Sequence, residues 1–460
     1  MSLVNITVDD THYKVEDKRL LIDFLIENKI EIPYFCYHEA LGADGNCRMC
    51  MVEIEGQKRP QIACDTFVKD GMAIKTKGDK INSVRQRILE LELANHPVDC
   101  PICDQAGECK LQDFYMDYGL HDSKIEEKQK VHHKKHIDLG SQVMLDQERC
   151  VLCARCVRFT SKITKTGELG IINRGDHACV SVVPGMKLDN PYAMNVVDLC
   201  PVGALTSKDF RFNQRVWFLK TVNSICPGCA TGCNIFIDHS KEKYKDDMVF
   251  RFRPRINNAV NGHFMCDAGR LSYRIFQENR LDKIMLNSSQ ISAASALEVV
   301  KAKLKSSSNI AILVDANLFS EDIALIKSFS EAINAQIACP TECYFDEDFG
   351  DDWLRNQERC ANLWTIKDFN INDKFESTNI DLLINFNHPD FDKIESKQSI
   401  SFQTHKNFES ALMIPIPAFF ETSGTFANKD GIKQYCQQAT SKLKPLAKIG
   451  WWISQIRNLK

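Results

Sequence analysis

Twenty cysteines in a chain of 460 residues constrain this fold more than any other feature, because sixteen lie before residue 267 and only Cys339, Cys343, Cys360 and Cys436 follow. Thiols used as small packing residues would not gather in one part of a chain. Exported proteins spend cysteines on disulfides, but no charged-then-apolar leader opens this sequence, and Val4-Asn5-Ile6-Thr7-Val8 alternates as a strand does. The cysteines are therefore read as metal ligands in a reducing cytosol. A net charge of −3 gives no reason to expect nucleic acid or a lipid surface as partner. The longest apolar stretch, Ala411 to Phe420, is about half the roughly 20 residues a membrane helix needs. A chain of this length is expected to form several domains.

The cysteines fall into four sets. Cys36, Cys47, Cys50 and Cys64 are spaced C-x10-C-x2-C-x13-C. Around them a hairpin (Val4–Val8 with Tyr13–Val15), a helix over Leu20–Ile30 and a strand over Met51–Glu55 are what a β-grasp ferredoxin needs. Two irons bridged by two sulfides take four thiolates, and Gly42 and Gly45 let a loop wrap closely. The spacing departs from the plant-type ferredoxin pattern, and a zinc site remains open for this set. The second set is one imidazole and three thiolates, His96, Cys100, Cys103 and Cys109, which suits a four-iron cluster or zinc. The third is Cys150-x2-Cys153-x2-Cys156 with the remote Cys200-Pro201. That is the bacterial ferredoxin pattern, whereas a zinc ribbon shows two C-x2-C pairs. The fourth is Cys226-x2-Cys229-x3-Cys233 with the remote Cys266. Four zinc sites sharing ferredoxin spacings would be a coincidence, so one-electron centres in series are the better reading. Cys179 has no motif and is read as a spare thiol.

The string HPVDCPICDQAGEC, His96 to Cys109, resembles the signature of the large iron–sulfur subunit of NADH–quinone oxidoreductase, respiratory complex I. GELGIINRG (Gly167–Gly175) and NVVDLCPVGAL (Asn195–Leu205) are similar to the same family. The fourth set is similar to the cluster-binding head of molybdopterin oxidoreductases. The resemblance implies one [2Fe–2S] cluster on the first set and a [4Fe–4S] cluster on each of the other three, the fourth lying off the main electron path. It implies an oxidoreductase subunit that carries electrons from an NADH- and flavin-binding partner towards quinone, alongside other iron–sulfur subunits. The expected place is the cytoplasmic side of the bacterial inner membrane, reached only through the complex. No G-x-G-x-x-G follows a strand, so the NADH site belongs to a partner, and no catalytic residue is named. The alternative is the electron-transfer subunit of an NAD-linked hydrogenase or formate dehydrogenase, whose N-terminal cluster modules are similar.

The last third differs in kind. Asn309–Val314 and Ile380–Phe386 read as buried strands and Ser320–Ala335 as an amphipathic helix, which predicts a parallel sheet covered by helices. Glu421 to Gly431 resembles the E-x-x-G-T-x-x-N-x-E-G string of molybdopterin-fold subunits and also suits an ordinary turn. Fewer than 200 residues follow Cys266, so a reduced scaffold that binds no molybdenum is expected, with Cys339 and Cys343 as structural thiols. The predicted fold is mixed α/β and multidomain. It comprises a β-grasp ferredoxin (1–79), a His-Cys four-iron domain (80–119), a ferredoxin-like four-iron domain (141–210), a molybdopterin-oxidoreductase-type cluster domain (219–275) and a shortened α/β domain (276–460). Ile81 to Leu93 is expected to be a packing helix facing inward through Ile81, Val84, Ile88 and Leu91. Lys124 to His136 is expected to be a solvated linker.

Overall fold

The opening alternation becomes a hairpin, in which β1 (Leu3–Val8) and β2 (Thr11–Glu16) pair antiparallel with Ile6 opposite Tyr13. The structure is a computed structural model and describes residues 2–119, 122–377, 379–406 and 409–457. Helix α1 (Leu21–Glu27) is shorter than the apolar spacing suggests. The Asn28 side chain bonds back to the Phe24 carbonyl at 2.9 Å, and Lys29 turns left-handed, which ends the helix. Strands β3 (Met51–Ile54), β4 (Gln61–Ile62) and β5 (Met72–Lys75) complete a sheet of order β2-β1-β5-β3-β4, with β1 and β5 parallel. This is the β-grasp arrangement. Leu21, Ile22 and Leu25 of α1 pack on Ile6, Val8, Val52 and Ile74, and Cys50 and Cys64 lie in that same core.

Helix α2 (Asp79–Asn95) buries Ile81 as the spacing predicts, leaves Val84 and Ile88 half-buried and turns Leu91 outward. It buries Ile81, Arg85 and Leu89, and leaves Leu91 78% exposed. The Arg85 guanidinium reaches the carbonyls of Met51 (3.2 Å) and Thr76 (3.0 Å), so the face carrying it turns towards the sheet. After α3 (Lys110–Tyr118), β6 (Ile137–Asp138) and β7 (Val143–Leu145) lead to the short helix α4 (Arg155–Arg158). The hairpin of β8 (Leu169–Ile172) and β9 (Cys179–Val182), helix α5 (Asn195–Leu199) and strand β10 (Leu205–Ser207) follow. β7 stands between β10 and β6 in a three-stranded sheet.

The chain divides into two compact units, Met1–Phe218 and Leu219–Lys460. The second opens with an antiparallel meander, β11 (Lys220–Ile225), β12 (Asn234–Ser240) and β13 (Met248–Pro254), followed by α6 (Asp267–Leu271). Next come β14 (Met285–Leu286), β15 (Ser289–Gln290), α7 (Ala293–Ser306), β16 (Ile310–Val314), α8 (Ser320–Ile333) and β17 (Gln336–Ala338). Then follow α9 (Leu363–Asp368), β18 (Ile380–Phe386), β19 (Ser396–Gln403) and β20 (Leu412–Pro415). They form a seven-stranded sheet of order β15-β14-β20-β19-β18-β16-β17, in which β17, β16, β18, β19 and β20 run parallel. Every residue of β16 is buried, which is why its sequence shows an unbroken apolar run in place of alternation. Helix α8 stops at left-handed Asn334, just short of the expected Ala335.

The Glu421–Gly431 string runs into a hairpin, β21 (Gly424–Ala427) and β22 (Lys433–Cys436), before the last helix α10 (Ile449–Arg457). Asn428 Oδ1 accepts the amides of Asp430 (3.0 Å) and Ile432 (2.9 Å), which closes the turn as that reading requires. Among the described residues no helix is long and apolar enough to cross a membrane.

Candidate metal centres

In the β-grasp domain Cys36, Cys47, Cys50 and Cys64 are all buried. Gly42, Gly45 and Arg48 take positive φ, and this curls the loop so that its thiols meet those flanking β3 and β4. The Cys36 thiol meets those of Cys47 and Cys64, and Cys64 also meets Cys50. The Cys36 amide lies 3.5 Å from Cys47 Sγ. Contact with Cys36 and then burial push the Cys47 thiol up, and contacts with Cys36 and Cys50 do the same to Cys64.

The third set surrounds a cavity, with Cys153 and Cys156 buried and Cys150 and Cys200 partly exposed. Cys150, Cys153, Cys156 and Cys200 line one cavity of about 20 Å³ walled by Leu145, Val180, Val202 and Leu205. Left-handed Leu152 and Ala154 fold the C-x2-C-x2-C segment so that three sulfurs turn to one side, and α5 delivers Cys200 from its C-terminal end. Burial, then the neighbouring thiols, push Cys153 up to about 12 and raise Cys150 and Cys156 as well. Cys179, at the start of β9, is buried, while its neighbour Val180 forms the cavity wall.

The second set is looser. Cys103 and Cys109 are buried and Cys100 is partly exposed. Cys109 senses the charge of both Cys103 and Cys200, and burial pushes it up to about 11. The His96 ring accepts the Val98 amide on Nδ1 at 3.1 Å, and burial lowers it to about 4, leaving it neutral, the form that binds metal. A Cβ on Gly203 would overlap Cys103 Sγ, so only glycine admits this thiol.

In the second unit Cys226, Cys229, Cys233 and Cys266 line a cavity of about 10 Å³ with Gly228, Gly269 and Phe349. Gly228 and Gly269 aim their amides at Cys226 Sγ (3.5 Å) and Cys266 Sγ (3.3 Å). A Cβ at Gly269 would lie 2.9 Å from Cys226 Sγ. Burial raises Cys226 and Cys233 and takes Cys266 to about 11. Among the described residues no three or more His, Cys, Asp or Glu side chains stand in the arrangement of a single-ion site. What the third and fourth sets share is a cavity wall, and four thiols around a dry, largely apolar space are the donor set an iron–sulfur cluster takes.

Several residues that serve these loops carry no mark in the cysteine spacing. Arg149, beside Cys150, grips Asp99, beside Cys100, through Nε (2.9 Å) and Nη2 (2.6 Å). Arg155 donates to the Leu199 carbonyl (3.0 Å) and to that of Tyr37. Arg158 donates to the carbonyls of Gly42 (2.8 Å) and Cys36. The Lys110 amide bonds the Pro201 carbonyl at 2.9 Å. Arg215 holds the carbonyls of Cys103 (2.7 Å) and Pro101 (2.5 Å). The stretch expected to be a solvated linker does more than connect, since Lys130 Nζ meets the His96 carbonyl at 2.8 Å and Lys135 pairs with Asp99 and Glu148. The only signal for the first three is the interleaving of arginines among the cysteines. Cys339 is fully buried in the sheet core, and Cys343 Sγ approaches the Pro340 carbonyl at 3.4 Å.

Residues 2–79 match the 2Fe-2S iron-sulfur cluster binding domain, and residues 85–124 the NADH-ubiquinone oxidoreductase-G iron-sulfur binding region. Residues 140–206 match the ferredoxin-like domain of NADH-quinone oxidoreductase subunit 3, and residues 219–278 the molybdopterin oxidoreductase Fe4S4 domain. The G-type subunit of NADH-quinone oxidoreductase from Rickettsia conorii is 37% identical over 308 residues, 66% of this chain and 45% of that protein. Over 66–72% of its length the chain is similar to the G-type, or 75 kDa, family of NADH–quinone oxidoreductase subunits. Another member, the NADH-ubiquinone oxidoreductase 75 kDa subunit of Reclinomonas americana, is 36% identical over 338 residues, 72% of this chain and 48% of its own. The chain thus spans about half the length of these curated family members. A solved NAD+-reducing [NiFe]-hydrogenase chain is 26% identical, with a TM-score of 0.41, over 46% of this chain and 91% of its own.

Proposed function

We propose that this chain carries electrons within the peripheral arm of an NADH–quinone oxidoreductase, from an NADH- and flavin-binding partner towards quinone. The observation that carries the reading is the cavity shared by Cys150, Cys153, Cys156 and the remote Cys200, set among two further thiol groups in one unit. Cys36, Cys47, Cys50 and Cys64 would hold a [2Fe–2S] cluster. His96, Cys100, Cys103 and Cys109, then Cys150, Cys153, Cys156 and Cys200, and finally Cys226, Cys229, Cys233 and Cys266 would each hold a [4Fe–4S] cluster. Domains over 1–79, 80–119, 141–210 and 219–275 would carry these four, with 276–460 as a molybdenum-free scaffold. Each cluster, when bound, accepts and passes single electrons without bond rearrangement.

The chain's own residues do the rest. Apolar walls keep water from the third and fourth sets, and the high thiol pKa values there mean that ligands give up protons as metal loads. The Gly228 and Gly269 amides then remain as donors to sulfur, a contact that shifts potential upward by stabilising the more negative state. Other iron–sulfur subunits of the complex would be its partners, on the cytoplasmic side of a bacterial inner membrane. Iron and acid-labile sulfide on anaerobically purified protein, with low-temperature EPR after dithionite, test the reading. About fourteen irons per chain, with both cluster types in the spectra, are expected. Zinc in place of iron would overturn it.

A further inference from the structure

The parallel strands of the second unit leave a cavity of about 100 Å³ that no thiol lines. It opens beyond the carboxyl ends of the sheet, bordered by Asn317 after β16, Asn387 after β18, Thr404 after β19 and Ile416 after β20. From β16 the chain moves outward to β17 and then returns to place β18 on β16's other side. The strand order therefore reverses between β16 and β18, and a crevice at such a reversal is where open α/β sheets take ligands.

The walls are apolar and largely aromatic: Phe276, Leu318, Phe319, Ile416 and Phe419. Four polar side chains in the lining have no hydrogen-bond or ion-pair partner among the described residues: Asp322, Thr422, Ser423 and Lys448. The remaining acid, Glu321, is already engaged by the amide (2.9 Å) and hydroxyl (2.7 Å) of Thr425. The asparagines are also occupied. Asn317 accepts the Ala361 amide, while Asn387 donates to Asp315 and accepts from Thr404. Asp322 lies in the first turn of α8, where two carboxylates cancel the attraction a helix N-terminus holds for anions. An unpaired carboxylate beside aromatic faces selects for the opposite charge.

We infer that this cavity binds a small amine, its cationic nitrogen on Asp322, its flat apolar body between Phe319 and Phe419, and the Thr422 and Ser423 hydroxyls at its edge. Lys448 is too far from Asp322 to form an ion pair, and it limits the ligand to a single positive charge at that end.

Benzylamine is the probe, with benzyl alcohol as a neutral comparator of the same shape, each titrated into the full chain by calorimetry and ligand-observed NMR. Benzylamine is expected to bind about tenfold more tightly than benzyl alcohol, the scale of one charge-assisted hydrogen bond. Asp322→Asn should erase that difference by weakening benzylamine far more than benzyl alcohol. Circular dichroism and EPR of the variant establish that the fold and the clusters are retained. Should Asp322→Asn fail to fold, Ser423→Phe, which adds a ring to the cavity lining, must abolish binding of both probes. Equal affinity for the two probes, no binding of benzylamine, or a folded Asp322→Asn that binds it as before would each overturn the inference.

Discussion

Arg158 Nη1 donates to the carbonyl of Gly42 at 2.8 Å, a bond that closes 116 positions of sequence. The same guanidinium reaches the Cys36 carbonyl, so the segment bearing Cys153 and Cys156 directly holds the loop of the first thiol set. Asn46 adds a second tie, from its Nδ2 to the Leu152 carbonyl at 3.0 Å. The first and third sets are thus fastened through backbone carbonyls.

Arg158→Ala strands the buried carbonyl of Cys36 and the half-buried one of Gly42, a loss of about 3 kcal/mol from two charge-assisted hydrogen bonds. The expected outcome is a lower melting temperature and a weakened [2Fe–2S] EPR signal, with the four-iron signals retained. Arg158→Lys should recover less than half, because one ammonium cannot reproduce the planar fork. An alanine variant with an undiminished [2Fe–2S] signal would show that the tie is dispensable.

Gly269 and Gly228 provide a paired test of the fourth cage. A methyl at Gly269 would crowd Cys226 Sγ at 2.9 Å and Cys266 Sγ at 3.3 Å, whereas one at Gly228 would make ordinary contact with Cys226 Sγ at 3.4 Å. Gly269→Ala is expected to lower iron by about four atoms per chain, and Gly228→Ala to leave it nearly unchanged. Equal iron in both variants would remove the case for a cluster between these thiols.

Asp322 ties the stability of the second unit to pH. Burial, then the charge of Glu321, raise its carboxyl to about 6, with Lys448 pulling the other way. In the unfolded chain it titrates near 3.9, so between roughly pH 4 and pH 6 the folded state holds more protons and stability falls as pH rises. The contribution is fully present below about pH 4 and gone above about pH 6. Asp322→Asn should flatten that slope and add up to about 2 kcal/mol at pH 7. Denaturant melts across this range check it, and identical slopes for both proteins would count against a buried, unpaired Asp322.

Ligand spacing is local, so which thiols share a loop can be read directly, and the Cys-Pro at Cys200 marks even a remote member. The unbroken apolar run Ile310–Val314, and Ile380–Phe386 with only Asp381 and Asn385 interrupting it, likewise announce buried strands. The fastenings are not legible, because Arg149, Arg155 and Arg158 mostly meet carbonyls, and every residue has a carbonyl. The inward face of α2 escapes the apolar spacing for a related reason. An arginine with backbone acceptors waiting at Met51 and Thr76 can displace a leucine from the core, and hydropathy counts it as polar. Lys130 reaches His96 in the same way from a stretch whose charges suggest only solvent.

The arginines of the Arg149–Arg158 stretch also impose an order in time. A chain emerging from the ribosome has all four thiols of its first set by Cys64, yet about ninety more residues must follow before Arg158 arrives to hold Gly42 and Cys36. Until then the loop is held only by its own sheet. The tie between the first and third sets can therefore close only once residue 158 is made, and a chain truncated before it carries the first four thiols on an unfinished clasp.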